Sequence, residues 1–173
     1  NDHMLPWGRL RDLPSQSVRA NAVVVTKCPA NMKPIDRRIV SNTLHLASYQ
    51  HIFYSSIKYA PCSLQQTPLL VTGIANPLPL LEHLQAQYPD TELLAFADHH
   101  VFTQHDIAQI IRKAAQYSIV VTTEKDYMRM QQTPLMEALG DKLHVLPIQT
   151  DMGMDQEAFN RQILLYVSEN NRK

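Results

Sequence analysis

Short apolar runs alternate along this chain with longer stretches whose apolar residues recur every three or four positions. The runs are Ala22–Lys27, Ile52–Ile57, Leu69–Gly73, Glu92–Ala97, Ser118–Thr123 and Leu143–Ile148, each of strand length. Between them a 3.6-residue period predicts helices at about 35–48, 77–88, 104–116, 125–138 and 155–169. Strands alternating with covering helices predict an α/β fold with a mostly parallel, Rossmann-like sheet flanked by helices. The third helix is the best marked. Ile107, Ile110, Ile111, Ala114 and Ala115 share one face, and Thr103 with Asp106 three residues on forms a capping box. Tyr59–Pro68 holds turn residues without a period and reads as a linker, while Ile52–Tyr59 suits an exposed ribbon as well as a buried strand. The expectation is a single α/β domain over residues 1–173, with 50–68 a ribbon or linker.

At 173 residues, 45% of them apolar and only four of them Gly, the chain is large enough to bury a core. Sixteen Lys and Arg balance sixteen Asp and Glu, so no global field favours nucleic acid or an anionic membrane. Cys28 and Cys62 lack CxxC spacing and suggest no disulfide framework, which fits a reducing compartment. No apolar run reaches the ~18 residues that a membrane span needs, and no secretory signal is visible. The opening Asn1-Asp2-His3-Met4 has no Met at position one, which predicts either a start at Met4 or a piece of a longer protein.

Three polar motifs each follow a predicted strand: Gly73-Ile74-Ala75-Asn76-Pro77, Asp98-His99-His100 and Thr122-Thr123-Glu124-Lys125-Asp126. Ligands of an open parallel sheet bind outside the carboxyl ends of its strands, so three such turns predict one working edge. Each motif also has a purely architectural reading. Gly73 permits the turn, Asn76 caps the next helix and Pro77 suits its first turn, and Thr123 with Asp126 forms a second capping box. Lys125 is harder to explain this way, because the helix dipole disfavours a cation in the first turn; it points to an anionic partner or a fixed carboxylate. Asp98, His99 and His100 bring two imidazoles and a carboxylate together, suited to acid–base work, metal ligation or orientation. The triplet resembles that of the manganese-binding DHH phosphoesterases, whose further Asp motifs are not recognisable here. No other His lies at metal-ligand spacing. There is no P-loop, GxGxxG or GxSxG.

Five segments in order resemble the lipid A 4'-kinases. Asp2-His3-Met4-Leu5-Pro6-Trp7-Gly8-Arg9-Leu10-Arg11-Asp12 is similar to that family's Leu-Pro-x-Gly-Pro-Leu-Arg-Glu, with Arg9 in place of Pro and Asp12 in place of Glu. Ala20–Lys27 resembles its Ala-Asp-x-Val-Val strand. Gly73–Pro77, Ala97–Thr103 and Val120–Asp126 resemble its Gly-Ile-(Gly/Ala)-(Asn/His)-Pro, Asp-His-His and Thr-Glu-Lys-Asp segments.

The resemblance implies a C-terminal lobe, the P-loop, Mg²⁺-binding carboxylates and catalytic Asp of the family lying upstream. It implies transfer of the ATP γ-phosphate to the 4'-hydroxyl of a tetraacyldisaccharide 1-phosphate, the lipid A precursor, at the cytoplasmic face of the inner membrane. ATP and Mg²⁺ are expected to be held mainly by the other half, with no metal bound within this chain and the lobe alone inactive. The membrane surface is a partner of the full-length protein, and nucleic acid is not. His99, with Asp98, is the expected catalytic position, His99 holding the carboxylate that takes the hydroxyl proton. Arg11, Asp12, Gly73, Asn76, Glu124 and Lys125 are expected to support substrate, phosphate or the Mg²⁺ site, and 52–59 to connect two lobes. Two other readings stand beside this one: a non-catalytic Rossmann-like binding domain, and a metal-dependent phosphoesterase using Asp98, His99 and His100.

Overall fold

The computed structural model describes residues 3–5, 7, 8 and 10–170; Asp2, Pro6 and Arg9 of the opening segment lie outside them. The chain is α/β and divides into two compact units. One comprises residues 1–57 and 150–173, the other the continuous stretch 58–149.

In the continuous unit, strands β3 (Leu69–Thr72), β4 (Glu92–Ala95), β5 (Val120–Thr123) and β6 (Leu143–Leu146) form a sheet in the order β4-β3-β5-β6. Every pairing in it is parallel. Every residue of β3 and β5 is buried, as expected of strands covered on both faces. Leu69, Val71 and Val120 pack on one side with Ile107, Ile110 and Ala114 of helix α3 (Gln104–Ala114). Leu70 and Val121 pack on the other with Leu80 and Leu84 of α2 (Leu78–Gln85). Each fully buried aliphatic side chain contributes about 1.5–3 kcal/mol, and these two clusters hold the strand ends in register.

The box at the start of α3 forms as the sequence predicts: Asp106 N donates to Thr103 Oγ1 at 3.3 Å, and Thr103 N to Asp106 Oδ2 at 2.8 Å. The helix expected at 125–138 is instead two, α4 (Glu124–Met130) and α5 (Leu135–Leu139). Pro134 is the cause. It lacks the N–H that a continuous helix needs and pushes the preceding residue out of helical geometry. Thr133 Oγ1 donates to Met130 O at 2.8 Å, closing the first helix.

The discontinuous unit holds β1 (Ala22–Cys28), β2 (His51–Tyr59) and β7 (Ile148–Asp151) in the order β1-β2-β7, with β1 and β2 parallel. β2 and β7 also carry the chain across the boundary between the units. Residues 60–68 that follow β2 have no regular structure. Strand β7 is absent from the expected elements, because Ile-Gln-Thr-Asp has a single apolar residue. Helices α1 (Pro34–Leu44) and α6 (Gln156–Asn170) belong to the same unit. Arg37 of α1 is fixed by Asp155 at 2.9 Å, and Asp155 also accepts from Tyr54 N at 2.9 Å.

Burial is divided unequally. Among the described residues, the buried apolar side chains of the discontinuous unit are Phe53, Tyr54 and Met152. None is buried in β1 or α1. Trp7, Ile35, Ile39, Leu164, Leu165 and Tyr166 are all exposed. Cys28 and Cys62 are free thiols.

Candidate functional site

The three motifs follow β3, β4 and β5, which are neighbours in the sheet, and hydrogen bonds from the Gly73 backbone to Asp126 and from Lys125 to Asp98 join them. The deepest is Asp126, in the first turn of α4 and fully buried. Its Oδ2 accepts from Thr72 Oγ1 at 2.6 Å, Gly73 N at 3.0 Å and Thr123 Oγ1 at 2.8 Å. Its Oδ1 accepts from Arg129 Nη1 at 3.1 Å. A buried carboxylate needs both a counter-charge and donors to its lone pairs, and here it has both. Thr123 is the N-cap of α4, its Oγ1 accepting from Asp126 N at 3.1 Å.

Arg129 extends this network outward. Its Nη1 also donates to Gly73 O at 3.2 Å, and its Nη2 reaches His99 Nδ1 at 3.3 Å. The His99 ring is 76% exposed, and its backbone is left-handed with φ 58°. Non-glycine residues take that conformation infrequently, and here it falls in the turn between β4 and α3. Asp98 Oδ1 accepts from His99 N at 3.0 Å and pairs with Lys125 Nζ at 3.0 Å. The Lys125 hydrogen bond holds the Asp98 carboxyl below the usual carboxylate range, partial burial opposing it and His99 adding to it. A fixed carboxylate therefore answers the dipole cost of Lys125.

His100 goes elsewhere. Its Nε2 lies 2.9 Å from Asp106 Oδ2, and its ring stacks on Phe96 at 5.2 Å. Asp106 is pulled down to about 2, first by the Thr103 hydroxyl and then by His100. The two histidines of the triplet thus divide between a solvent-facing site and a helix cap. Among the described residues, no group of three His, Cys, Asp or Glu side chains is arranged to hold a metal ion.

The remaining expected positions vary. Gly73 has a packing reason: a Cβ there would meet Ala97 O at 3.1 Å and Asp126 Oδ1 at 3.4 Å. Asn76 is exposed, its Oδ1 accepting from Leu78 N at 3.4 Å. Glu124 is exposed at the first position of α4. Arg11 and Asp12 belong to the discontinuous unit, where Asp12 pairs with Arg19 at 2.8 Å.

The family model for tetraacyldisaccharide-1-P 4'-kinase matches residues 1–168. The chain belongs to the tetraacyldisaccharide-1-P 4'-kinase family. It is 36% identical over 200 aligned positions to a tetraacyldisaccharide 4'-kinase of Bacteroides thetaiotaomicron, covering 99% of this chain and 53% of that protein. A tetraacyldisaccharide 4'-kinase of Flavobacterium johnsoniae is 37% identical over 182 positions, covering 98% and 52%. One of Porphyromonas gingivalis is 33% identical over 176 positions, covering 90% and 49%. The chain spans about half the length of the curated relatives it matches.

In this member of the tetraacyldisaccharide-1-P 4'-kinase family, the site residue that sequence reasoning misses is Arg129. Its i,i+3 spacing from Asp126 is the available signal, and it reads equally as a surface helix pair. Asp126 is legible in the sequence as a helix cap but not as the residue that ties strand ends together. Among the described residues, no helix is long and apolar enough to cross a membrane.

Proposed function

We propose that this chain is the C-terminal lobe of a tetraacyldisaccharide 4'-kinase. The full enzyme transfers the γ-phosphate of ATP, with Mg²⁺, to the 4'-hydroxyl of a tetraacyldisaccharide 1-phosphate in lipid A biosynthesis. It works at the cytoplasmic face of the inner membrane. The observation that carries the reading is the exposed His99 ring beside Asp98, Lys125 and Arg129 at the strand ends of a family member.

Among the described residues, no group of three His, Cys, Asp or Glu side chains is arranged to hold the metal of a nucleotide triphosphate. Gly73 precedes a helix after a strand, but the space its Cβ would fill is taken by Ala97 and Asp126 rather than left open as a phosphate cradle. The sequence has no Gly-rich loop ending in Lys and Ser or Thr. ATP and Mg²⁺ therefore belong to the half of the family that this chain does not span. What this chain contributes is positioning, which with charge stabilisation is most of phosphoryl-transfer catalysis. His99 would hold the carboxylate that takes the hydroxyl proton, and Lys125 with Asp98 would set the charge beside it. The exposed apolar residues of α1 and α6, with Val24 of β1, support the lobe reading, since a strand such as Ala-Val-Val-Val is suited to burial on both faces.

The engagement of His100 with Asp106 and Phe96 favours His99 as the functional histidine. It also counts against a phosphoesterase that needs Asp98, His99 and His100 on one metal. The test is His99→Ala in the full-length enzyme. The expected loss is about 10²–10⁴-fold in kcat, or about 3–5 kcal/mol of barrier, with the KM for ATP little changed. His100→Ala should cost much less in turnover, and thermal melts of both variants control for unfolding. A folded His99→Ala enzyme within about threefold of wild type would end the assignment.

A further inference from the structure

We propose that Arg129 is a positioning residue that fixes the tautomer of His99, leaving the ring proton on Nε2 and pointing that N–H at the working edge. Its use in catalysis rests on the functional reading of His99; the tautomer itself does not.

A guanidinium has five N–H donors, no acceptor, and stays charged at any pH a protein survives. Arg129 Nη2 sits 3.3 Å from His99 Nδ1, so the contact is a hydrogen bond only if Nδ1 presents its lone pair. The other neutral tautomer would set an N–H against a cation and leave Nη2 without this acceptor. The neutral ring therefore carries its proton on Nε2.

Arg129 is itself immobilised. Nη1 is shared between the buried Asp126 carboxylate and Gly73 O, at 3.1 and 3.2 Å. Asp126 in turn is tied to the ends of β3 and β5 through Thr72, Gly73 and Thr123. The guanidinium thus has one orientation, and its second arm emerges where the left-handed turn of residue 99 delivers the ring. On the far side of the ring, Nε2 is 3.7 Å from Asp98 Oδ2, beyond ordinary hydrogen-bond range. That N–H is left for an incoming acceptor, and an acidic oxygen is the acceptor it suits best. The arrangement parallels the way a group behind a catalytic or metal-bound histidine sets its tautomer, with a cation here accepting nothing and dictating the lone pair.

Long-range ¹H–¹⁵N NMR of the ¹⁵N-labelled chain reads the tautomer directly, without any activity. At a pH where the ring is neutral, His99 should show Nδ1 in the range of an unprotonated nitrogen and Nε2 in that of a protonated one. Arg129→Lys keeps a cation for Asp126, so the fold survives, but a single ammonium cannot span both contacts. In this variant the two His99 nitrogens should move toward the averaged values of a tautomer mixture. Arg129→Met, which also unpairs Asp126, should do the same if it folds. A wild-type His99 protonated on Nδ1, or an Arg129→Lys spectrum identical to wild type, overturns the inference. In the full-length kinase, Arg129→Lys should lower kcat about 10- to 100-fold, as losing an orienting partner does elsewhere, while the KM for ATP holds. A shifted tautomer with unchanged kcat would leave Arg129 as the tautomer-setting residue and refute the catalytic reading of His99.

Discussion

Thr72 Oγ1 donates to Asp126 Oδ2 at 2.6 Å, tying the end of β3 to the first turn of the helix that follows β5. The bond spans 54 positions of sequence and is fully buried. It makes the strand ends one mechanical unit, so a change at Asp126 is felt in more than one turn at once.

Asp126→Ala should accordingly destabilise the 58–149 unit by about 3–5 kcal/mol, the cost of stranding a buried partner. Thr72→Val removes one hydrogen bond to a charged group and should cost about 1.5–3 kcal/mol. Urea unfolding followed by circular dichroism measures both. An Asp126→Ala protein as stable as wild type would mean that the carboxylate is not in this network.

Gly73→Ala should also be destabilising, by about 1–3 kcal/mol, the range for overpacking. The added methyl would press on Ala97 O at 3.1 Å. That carbonyl is held by His100 N at 3.1 Å, and the neighbouring Phe96 N by Thr72 O at 2.8 Å, so the backbone has little freedom to yield. The melting temperature reports the result, and an unchanged value would show that the turn adapts.

Acid should loosen the start of α3 in a defined window. Asp106 sits at about 2 in the folded chain against an ordinary 3.8. A lowered folded value means that ionised Asp106 stabilises the fold; the contribution is complete above about pH 4 and disappears as pH falls toward 2. The melting-temperature gap between wild type and Asp106→Asn should therefore be widest above pH 4 and close on acidification. A gap constant from pH 5 to 2 would contradict the assignment.

Studied alone, the chain should bind ATP with no affinity measurable in the micromolar range by calorimetry, since it offers no phosphate cradle. Backbone amides of α1 and α6 should exchange with solvent far sooner than those of β3 and β5, because local opening follows burial. Micromolar ATP binding, or equal protection across both units, would count against the lobe reading.

The sheet of the 58–149 unit is legible in the sequence because β3 and β5 are dense apolar runs bounded by turn residues, and α3 because Thr103 and Asp106 mark its start. Strand-end position alone also brings Asp98, His99 and Lys125 to one edge. Where the sequence misleads, the information is not local. The single helix over 125–138 is the exception, because Pro134 is a local breaker in plain view that the 3.6-residue period alone passes over. Strand β7 has almost no apolar signal and exists through its pairing beside β2. Arg129 gains its meaning from Gly73 and His99, which are 56 and 30 positions away, and no periodicity reports such distances.

The discontinuous unit has a consequence for synthesis on the ribosome. β1, α1 and β2 emerge before residues 58–149, whereas β7 and α6 lie beyond nearly the whole of that stretch. At ~5–20 residues per second, that interval is roughly five to twenty seconds. The later stretch is contiguous and can close upon itself as it appears, whereas the earlier one waits with β2 still lacking its β7 neighbour. For a nascent chain this is a period of exposure to chaperones and to misassociation, and it is set by the order in which the strands are encoded.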